Sequence, residues 1–332
     1  MPLDLGQSLT IHGSRSPRFR MKTISVVTPC FNEKDGIAEC VDVLRDIFVT
    51  SLPNYRLEHI ICDNCSDDGT VEELRRLAHL NPQLKVILNS RNFGILKNTF
   101  NGVMAAAGDA VILFLPADLQ DPPGLIPEFV RHWENGFEIV YGIRASREET
   151  FLLRSARKLY YRILSRITSV NYPPDVGDYQ LVDRKVHEAM KQVDDAQPFM
   201  RLMTFDMGFR SIGVEYTWTK RKHGKSRNRL SQLFGQGLNG IISYSGVPLR
   251  LALVLGFFLA GMSLLYAFLV ATLALSGLIH ASRGIPTVII ALFFFGGVQL
   301  FFLGVLGEYI LAIYNQVRKR PLVVERERIN FD

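Results

Sequence analysis

The chain has 332 residues, 48% of them hydrophobic, and a formal net charge of +6, so it has room for one large folded domain or two. The apolar residues are unevenly placed: beyond Val247 the chain is almost all hydrocarbon, whereas the part before it has the pattern of a soluble α/β protein, so two solvents are implied. The positive charge lies almost wholly outside the apolar segments and favours anionic partners such as lipid headgroups or phosphates. No helix-turn-helix, zinc finger or aromatic RNA-binding signature is present, which argues against nucleic acid.

Residues 1–22 carry Gly, Ser, Pro and four basic residues without an apolar run, so they read as a flexible basic tail and not as a secretory signal. An α/β alternation follows. Thr23 to Thr28 reads as a buried strand, Gly36 to Thr50 as an amphipathic helix, Leu57 to Cys62 as a strand and Thr70 to Leu80 as a helix. Lys85 to Leu88, a helix over Ile95 to Ala107, and a strand over Ala110 to Leu115 continue it, and Glu138 to Tyr141 forms a fifth strand. Strands alternating with helices predict a mostly parallel sheet. The four cysteines are Cys30, Cys40, Cys62 and Cys65; Cys62-Asp63-Asn64-Cys65 has redox spacing but leads into a polar turn, so free thiols are the expectation.

Polar residues gather in the turns after the strands, which should open on one sheet edge, where α/β folds bind ligands. These turns are Pro29-Cys30-Phe31-Asn32-Glu33, Asp63 to Thr70, Arg91-Asn92-Phe93-Gly94 and Pro116-Ala117-Asp118-Leu119-Gln120-Asp121-Pro122-Pro123. Asp118 and Gln120 are oxygen ligands suited to Mg²⁺ or Mn²⁺ beside a diphosphate; the competing reading is a polar turn after a buried strand. Asp63 ends a buried strand, as the ribose- or base-binding acid of nucleotide folds does, whereas Asp68 reads better as a helix cap. No G-x-G-x-x-G or P-loop motif occurs in these turns.

Taken together, these motifs resemble those of the family-2 glycosyltransferases with a GT-A fold, and most closely the polyprenyl-phosphate glycosyltransferases, over about residues 23–315. The resemblance implies a Rossmann-like catalytic domain over 23–229 and inverting transfer of a sugar from a nucleoside diphosphate, UDP in the first instance, to undecaprenyl or dolichyl phosphate. It implies that Pro29, Phe31, Glu33, Asp63 and Asn92 line the donor pocket and that Asp118 and Gln120 hold the metal, with Asp118, Arg144 and Asp178 as the catalytic set. Arg144 would meet the acceptor phosphate, and Arg184 would orient the donor or its own segment. Two departures stand out: Asn64 and Pro116 occupy positions where the family usually has acids.

Further cations follow. Arg154, Arg157, Lys158 and Tyr161 share a helix face by spacing and suit a phosphate clamp, or are solvated surface charges. Arg201 falls in a helix after Pro198 and, together with Arg144, Arg154, Arg184, Lys225 and Arg227, is expected to bind the acceptor or its phosphate. The basic run Lys220 to Arg229, with Lys225 and Arg227, resembles a loop that closes over diphosphate, and attraction to an anionic membrane competes as its explanation. Residues 230–246 read as an interfacial segment.

Leu251 to Val270 holds twelve Leu, Val and Phe residues and no charge, which favours insertion by roughly 4 to 7 kcal/mol. The expectation is one span over 247–279, a second over 285–314 and a tail over 315–332. Basic residues on both flanks predict a cytoplasmic catalytic domain and termini, in a bacterial inner membrane. Gly256, Ala260, Gly296 and Gly297 offer close helix packing, which suits a homo-oligomer. A processive polysaccharide or glycolipid synthase is the alternative enzyme, although neither Trp133 nor Trp218 sits in a Q-x-x-R-W motif. A non-catalytic scaffold is the other alternative, suggested by Asn64 and Pro116.

Overall fold

The computed structural model describes residues 20–146, 173, 176–217, 246–276 and 284–331. The first four apolar runs form β1 (Lys22–Cys30), β2 (Tyr55–Asp63), β3 (Leu84–Asn89) and β4 (Ala110–Ile112), all parallel, in the spatial order β4-β1-β2-β3. Seven of the nine residues of β1 are buried, and so are seven of the nine in β2. Such strands need cover on both sheet faces, and helices supply it. On one face α1 (Ile37–Thr50), α2 (Thr70–Leu80) and α4 (Ile126–Glu134) pack over Ile24, Val26, Ile61 and Ile112. On the other, α3 (Ile95–Ala105), α5 (Arg184–Lys191) and α6 (Met200–Asp206) cover Val27, Ile60, Ile87 and Val111.

The sheet continues beyond β4 through β6 (Val176–Asp183), antiparallel to both β4 and β5 (Ile139–Ser146), and ends at β7 (Ser211–Thr217), parallel to β5. Because β6 runs backwards, β5 and β7 point the same way as β1, and their carboxyl ends reach the same edge. At the opposite border, β8 (Glu325–Ile329) adds antiparallel to β3. The tail predicted over 315–332 therefore contains a strand.

Three of the predicted boundaries that move have a local reason. The fourth strand stops at Ile112 and not at Leu115: Leu113 N–H still donates to Gln180 O at 2.9 Å and Leu115 N–H to Val27 O at 2.9 Å, but Pro116 cannot extend a ladder. The third helix ends at Ala105 because the next turn is claimed from below. Ala107 N–H donates to Glu58 at 2.9 Å and Gly108 N–H to Ser25 Oγ at 2.9 Å. Burial works against the Glu58 charge, yet Lys85 at 2.8 Å, Ser25 and the Ala107 amide outweigh it and hold the carboxyl below its usual range. The fifth strand extends to Ser146, so Arg144 lies within it and not in a turn after it.

After the α/β domain come two long helices, α7 (Val247–Leu275) and α8 (Ile285–Val317), which touch each other. Among the described residues, the stretch Phe294–Val317 is long and apolar enough to cross a membrane, with mean hydropathy 1.7 and none of its window buried in the protein. A second apolar stretch, Leu249–Ser263, lies within α7. The predicted basic loop at 220–229 and most of the interfacial segment lie outside the described residues.

Two features of the core are testable. A Cβ at Gly102 would meet Cys62 Sγ inside contact distance and Val27 Cγ1 at 2.8 Å, where α3 crosses the sheet. Gly102→Ala should cost about 1–3 kcal/mol, seen as a lowered thermal unfolding midpoint. His59 is 2% exposed with Nε2 2.9 Å from Thr28 Oγ1, and burial pulls its pKa down to about 3. The unfolded histidine titrates near ~6.5, so below that pH the unfolded state binds the proton and the native state does not. The stability present above pH ~6.5 is thus lost towards pH 3, by about 1.4 kcal/mol per unit. His59→Gln should flatten the dependence of the denaturant midpoint on pH between about 6.5 and 4.

Candidate active site

The carboxyl edge is assembled by side chains that reach from one turn to the next. Asn32 N–H donates to Ser66 Oγ at 2.8 Å, and Asn32 and Asp67 exchange two bonds, of 2.6 and 3.0 Å. Glu33 N–H donates to Thr70 Oγ1 at 3.0 Å. Asp68 accepts from Thr70 N–H at 3.0 Å and Lys34 N–H at 3.3 Å; the cap of the following helix is Gly69, so Asp68 braces the turn ahead of the helix and does not cap it. The turns after β1 and β2 are thereby fixed as one unit, with Pro29 in the ladder and Phe31 and Glu33 half-buried beside it.

Asp63 is 1% exposed, and both its carboxylate oxygens are engaged by Ser66. Asn64, where the family usually has an acid, accepts from Phe93 N–H at 2.9 Å and donates to Asn92 Oδ1 at 2.9 Å. A carboxylate could accept the first bond but could not donate the second. Asn92 Oδ1 also accepts from Gly94 N–H at 2.9 Å, so this side chain shapes the third turn.

Asp118 and Gln120 are half-buried in the turn after β4, where Gln120 N–H donates to Asp118 Oδ1 at 3.2 Å and Leu119 adopts φ +54°. One residue further, Asp121 is buried and grips Arg144 with two bonds of 3.1 Å. Tyr216 completes this cluster: its hydroxyl accepts from Arg144 Nε at 2.9 Å and donates to Asp121. Burial opposes the Arg144 charge, but Asp121 and Tyr216 offset it and raise the guanidinium pKa. Asp121 stood in the sequence motif without a role, and Tyr216 gave no signal beyond strand alternation.

Asp178, on β6, pairs with Arg201 on α6 through bonds of 3.1 and 2.5 Å. Gln180 pins that helix to the strand by accepting from Thr204 Oγ1 at 2.8 Å. Burial pushes the Asp178 pKa up, yet Arg201 and, at longer range, Arg144 overcome this and hold the carboxyl below its usual range. Arg184 is the exception to the predicted cluster. It follows Asp183, which pairs with Ala110 at the amino end of β4, and its side chain reaches Ala107 O at 3.5 Å and Glu188 at 3.9 Å. Antiparallel β6 carries it to the edge opposite Asp118, away from Arg144 and Arg201. Arg154, Lys225 and Arg227 lie outside the described residues.

Residues 25–190 match the family described as glycosyl transferase family 2. The chain belongs to that family. This glycosyltransferase is 36% identical over 301 residues to the glycosyltransferase YkcC of Bacillus subtilis (strain 168), covering 90% of this chain and 92% of the relative. It is 34% identical over 300 residues to the bactoprenol glucosyl transferase of Shigella phage SfII, covering 90% and 96%. Among solved structures it is similar to glucosyl-3-phosphoglycerate synthase from Mycobacterium tuberculosis in complex with Mn²⁺, UDP-glucose and phosphoglyceric acid. That similarity has 19% identity, a TM-score of 0.44, and coverage of 67% of this chain and 78% of the other.

The glycosyltransferase's own donor set bears on metal binding. No group of three His, Cys, Asp or Glu side chains suited to a metal occurs among the described residues, and Asp121 is committed to Arg144. Asp118 and Gln120 supply one carboxylate and one amide from the same turn, a set that fits Mg²⁺ or Mn²⁺, which take most of their other ligands from water and phosphate. The four cysteines are free thiols, three of them buried, and burial raises the pKa values of Cys30, Cys40 and Cys62. Asp121→Ala, which strands the Arg144 charge, should destabilise the domain by about 3–5 kcal/mol, and Tyr216→Phe by about 1–3 kcal/mol, in thermal unfolding of the purified protein.

Proposed function

We propose that this glycosyltransferase moves a sugar from a nucleoside diphosphate, with UDP as the expected carrier, to a polyprenyl phosphate at the cytoplasmic face of a membrane. The observation that carries this reading is the meeting, on one sheet edge, of the Asp118–Gln120 turn with two arginines, each held by a carboxylate: Arg144 by Asp121 and Arg201 by Asp178. The likeness to the bactoprenol glucosyl transferase extends over nine-tenths of the chain, which supports a lipid-linked acceptor. The apolar length of α8 supports membrane attachment, and α7 is read as the second span. The excess of basic residues on the flanks favours a cytoplasmic catalytic domain and termini.

Asp118 and Gln120 would hold the divalent cation, which when bound neutralises charge on the departing diphosphate. Arg144 and Arg201 would bind the acceptor phosphate through bidentate guanidinium bonds, and their carboxylate partners fix where those guanidinium groups point. Asp178 positions Arg201 and does not serve as the base. Its lowered pKa makes it a poor proton acceptor, and a phosphate oxygen is already ionised at neutral pH. Attack by that oxygen on the anomeric carbon, opposite the diphosphate, inverts the centre.

Asp118→Ala should abolish transfer from UDP-glucose to undecaprenyl phosphate in the presence of Mn²⁺, with the circular dichroism spectrum unchanged. Product analysis of the wild type should find a single sugar on the lipid. Undiminished turnover in the variant would sink the metal assignment, and a ladder of longer products would favour a processive enzyme.

A further inference from the structure

A cavity of about 320 Å³ opens where the end of α8 meets the turn after β3. Its charged lining is of one sign. Arg91 and Lys97 come from the β3–α3 segment, Arg318 and Arg320 from the chain leaving α8, and no carboxylate lines the space. Phe93 and Leu322 add apolar wall. None of the four cations makes an ion pair among the described residues. Arg91 lies over the Phe93 ring at 3.9 Å and donates to Asn92 O at 3.1 Å, while Arg318 lies over Tyr314 at 5.5 Å. Four like charges held around one hollow repel each other unless an anion enters it. None of Asp118, Gln120, Arg144, Asp178 and Arg201 lines it, so it is distinct from the candidate active site.

The position of the cavity along α8 identifies the source of that anion. Towards the domain, Gln316 is held by the 194–197 segment, donating to Asp194 O and accepting from Ala196 N–H at 2.8 Å. Away from it, Ile310, Leu311, Ile313, Tyr314 and Val317 are exposed, so the helix presents hydrocarbon outward as far as Val317. Arg318 is the next residue. Cations that begin where an apolar helix surface stops lie at the depth of lipid phosphates, and basic pockets beside spanning helices suit anionic headgroups. We propose that this cavity binds the phosphate of an anionic phospholipid of the surrounding bilayer, an inference that rests on α8 being a spanning helix. The headgroup would bridge the end of α8 to the turn that contains Asn92 and Phe93, and so seat the donor side of the sheet against the membrane.

The test uses the full chain in vesicles of phosphatidylcholine alone or with phosphatidylglycerol. Acylation of Lys97 by a neutral amine reagent is read by mass spectrometry, with Lys185 on the opposite sheet edge as reference. Phosphatidylglycerol should lower Lys97 labelling roughly tenfold relative to Lys185, and the double variant R318Q/R320Q should lose that protection, on the scale of two basic contacts near an anionic surface. Equal labelling in both vesicles, or protection retained in the double variant, would overturn the site. Equal protection by inorganic phosphate in phosphatidylcholine vesicles would overturn its assignment to a headgroup. Failure of the chain to float with vesicles of either kind would instead refute the spanning helix, and this site with it.

Discussion

A strand covered by helices on both faces has nowhere to put polar side chains except its ends, and that constraint organises this molecule. β1 and β2 are buried along most of their length, and β4 along all of it, so the chemistry of this part of the sheet collects in the turns at one edge. Those turns do not hang loosely from the strands. Asn32 with Asp67, Glu33 with Thr70, and Asn64 with Asn92 and Phe93 stitch three of them together, mostly through bonds between side chain and backbone. Rigid placement of this kind lowers the ordering cost that a bound nucleotide would otherwise impose.

The second half of the edge is held by charge. Asp121 with Arg144 and Asp178 with Arg201 are two carboxylate–guanidinium pairs at strand ends, each with further hydrogen bonds from Tyr216 or Gln180 nearby. Pairs of this sort contribute little net stability, because desolvation offsets most of their attraction. Their value lies in orientation. A guanidinium held by a carboxylate is fixed in direction, which suits the phosphate-binding role proposed for it.

Much of the sheet was legible because Val, Ile and Leu runs of strand length alternate with helix-period segments, and the polar turn after β4 was legible because Pro116, Pro122 and Pro123 frame it. Other features left weaker traces. Arg184 was grouped with the phosphate ligands by its nearness in sequence to Asp178, but a strand of eight residues carries its two ends to opposite edges of a sheet. The Arg144 partner was hidden because Asp121 and Tyr216 are 95 residues apart. β8 was missed because Glu325-Arg326-Glu327-Arg328 has none of the hydrocarbon that announces a strand. It is an edge strand secured by Arg75 to Glu327 at 2.7 Å, Asn101 to Glu325 at 2.6 Å, and Asn330 to the carbonyls of Ala78 and Leu84. Its charges guard the border against pairing with another chain.

That border strand has a mechanical consequence. With α8 seated in a bilayer, the eight steps of chain from Val317 to Glu325 reach at most about 29 Å when fully extended. The catalytic unit would then be leashed at its far margin, with limited freedom to lift or swivel. A domain moored in that way could glide over a lipid surface but not wander from it, which under the proposed function keeps its working height constant.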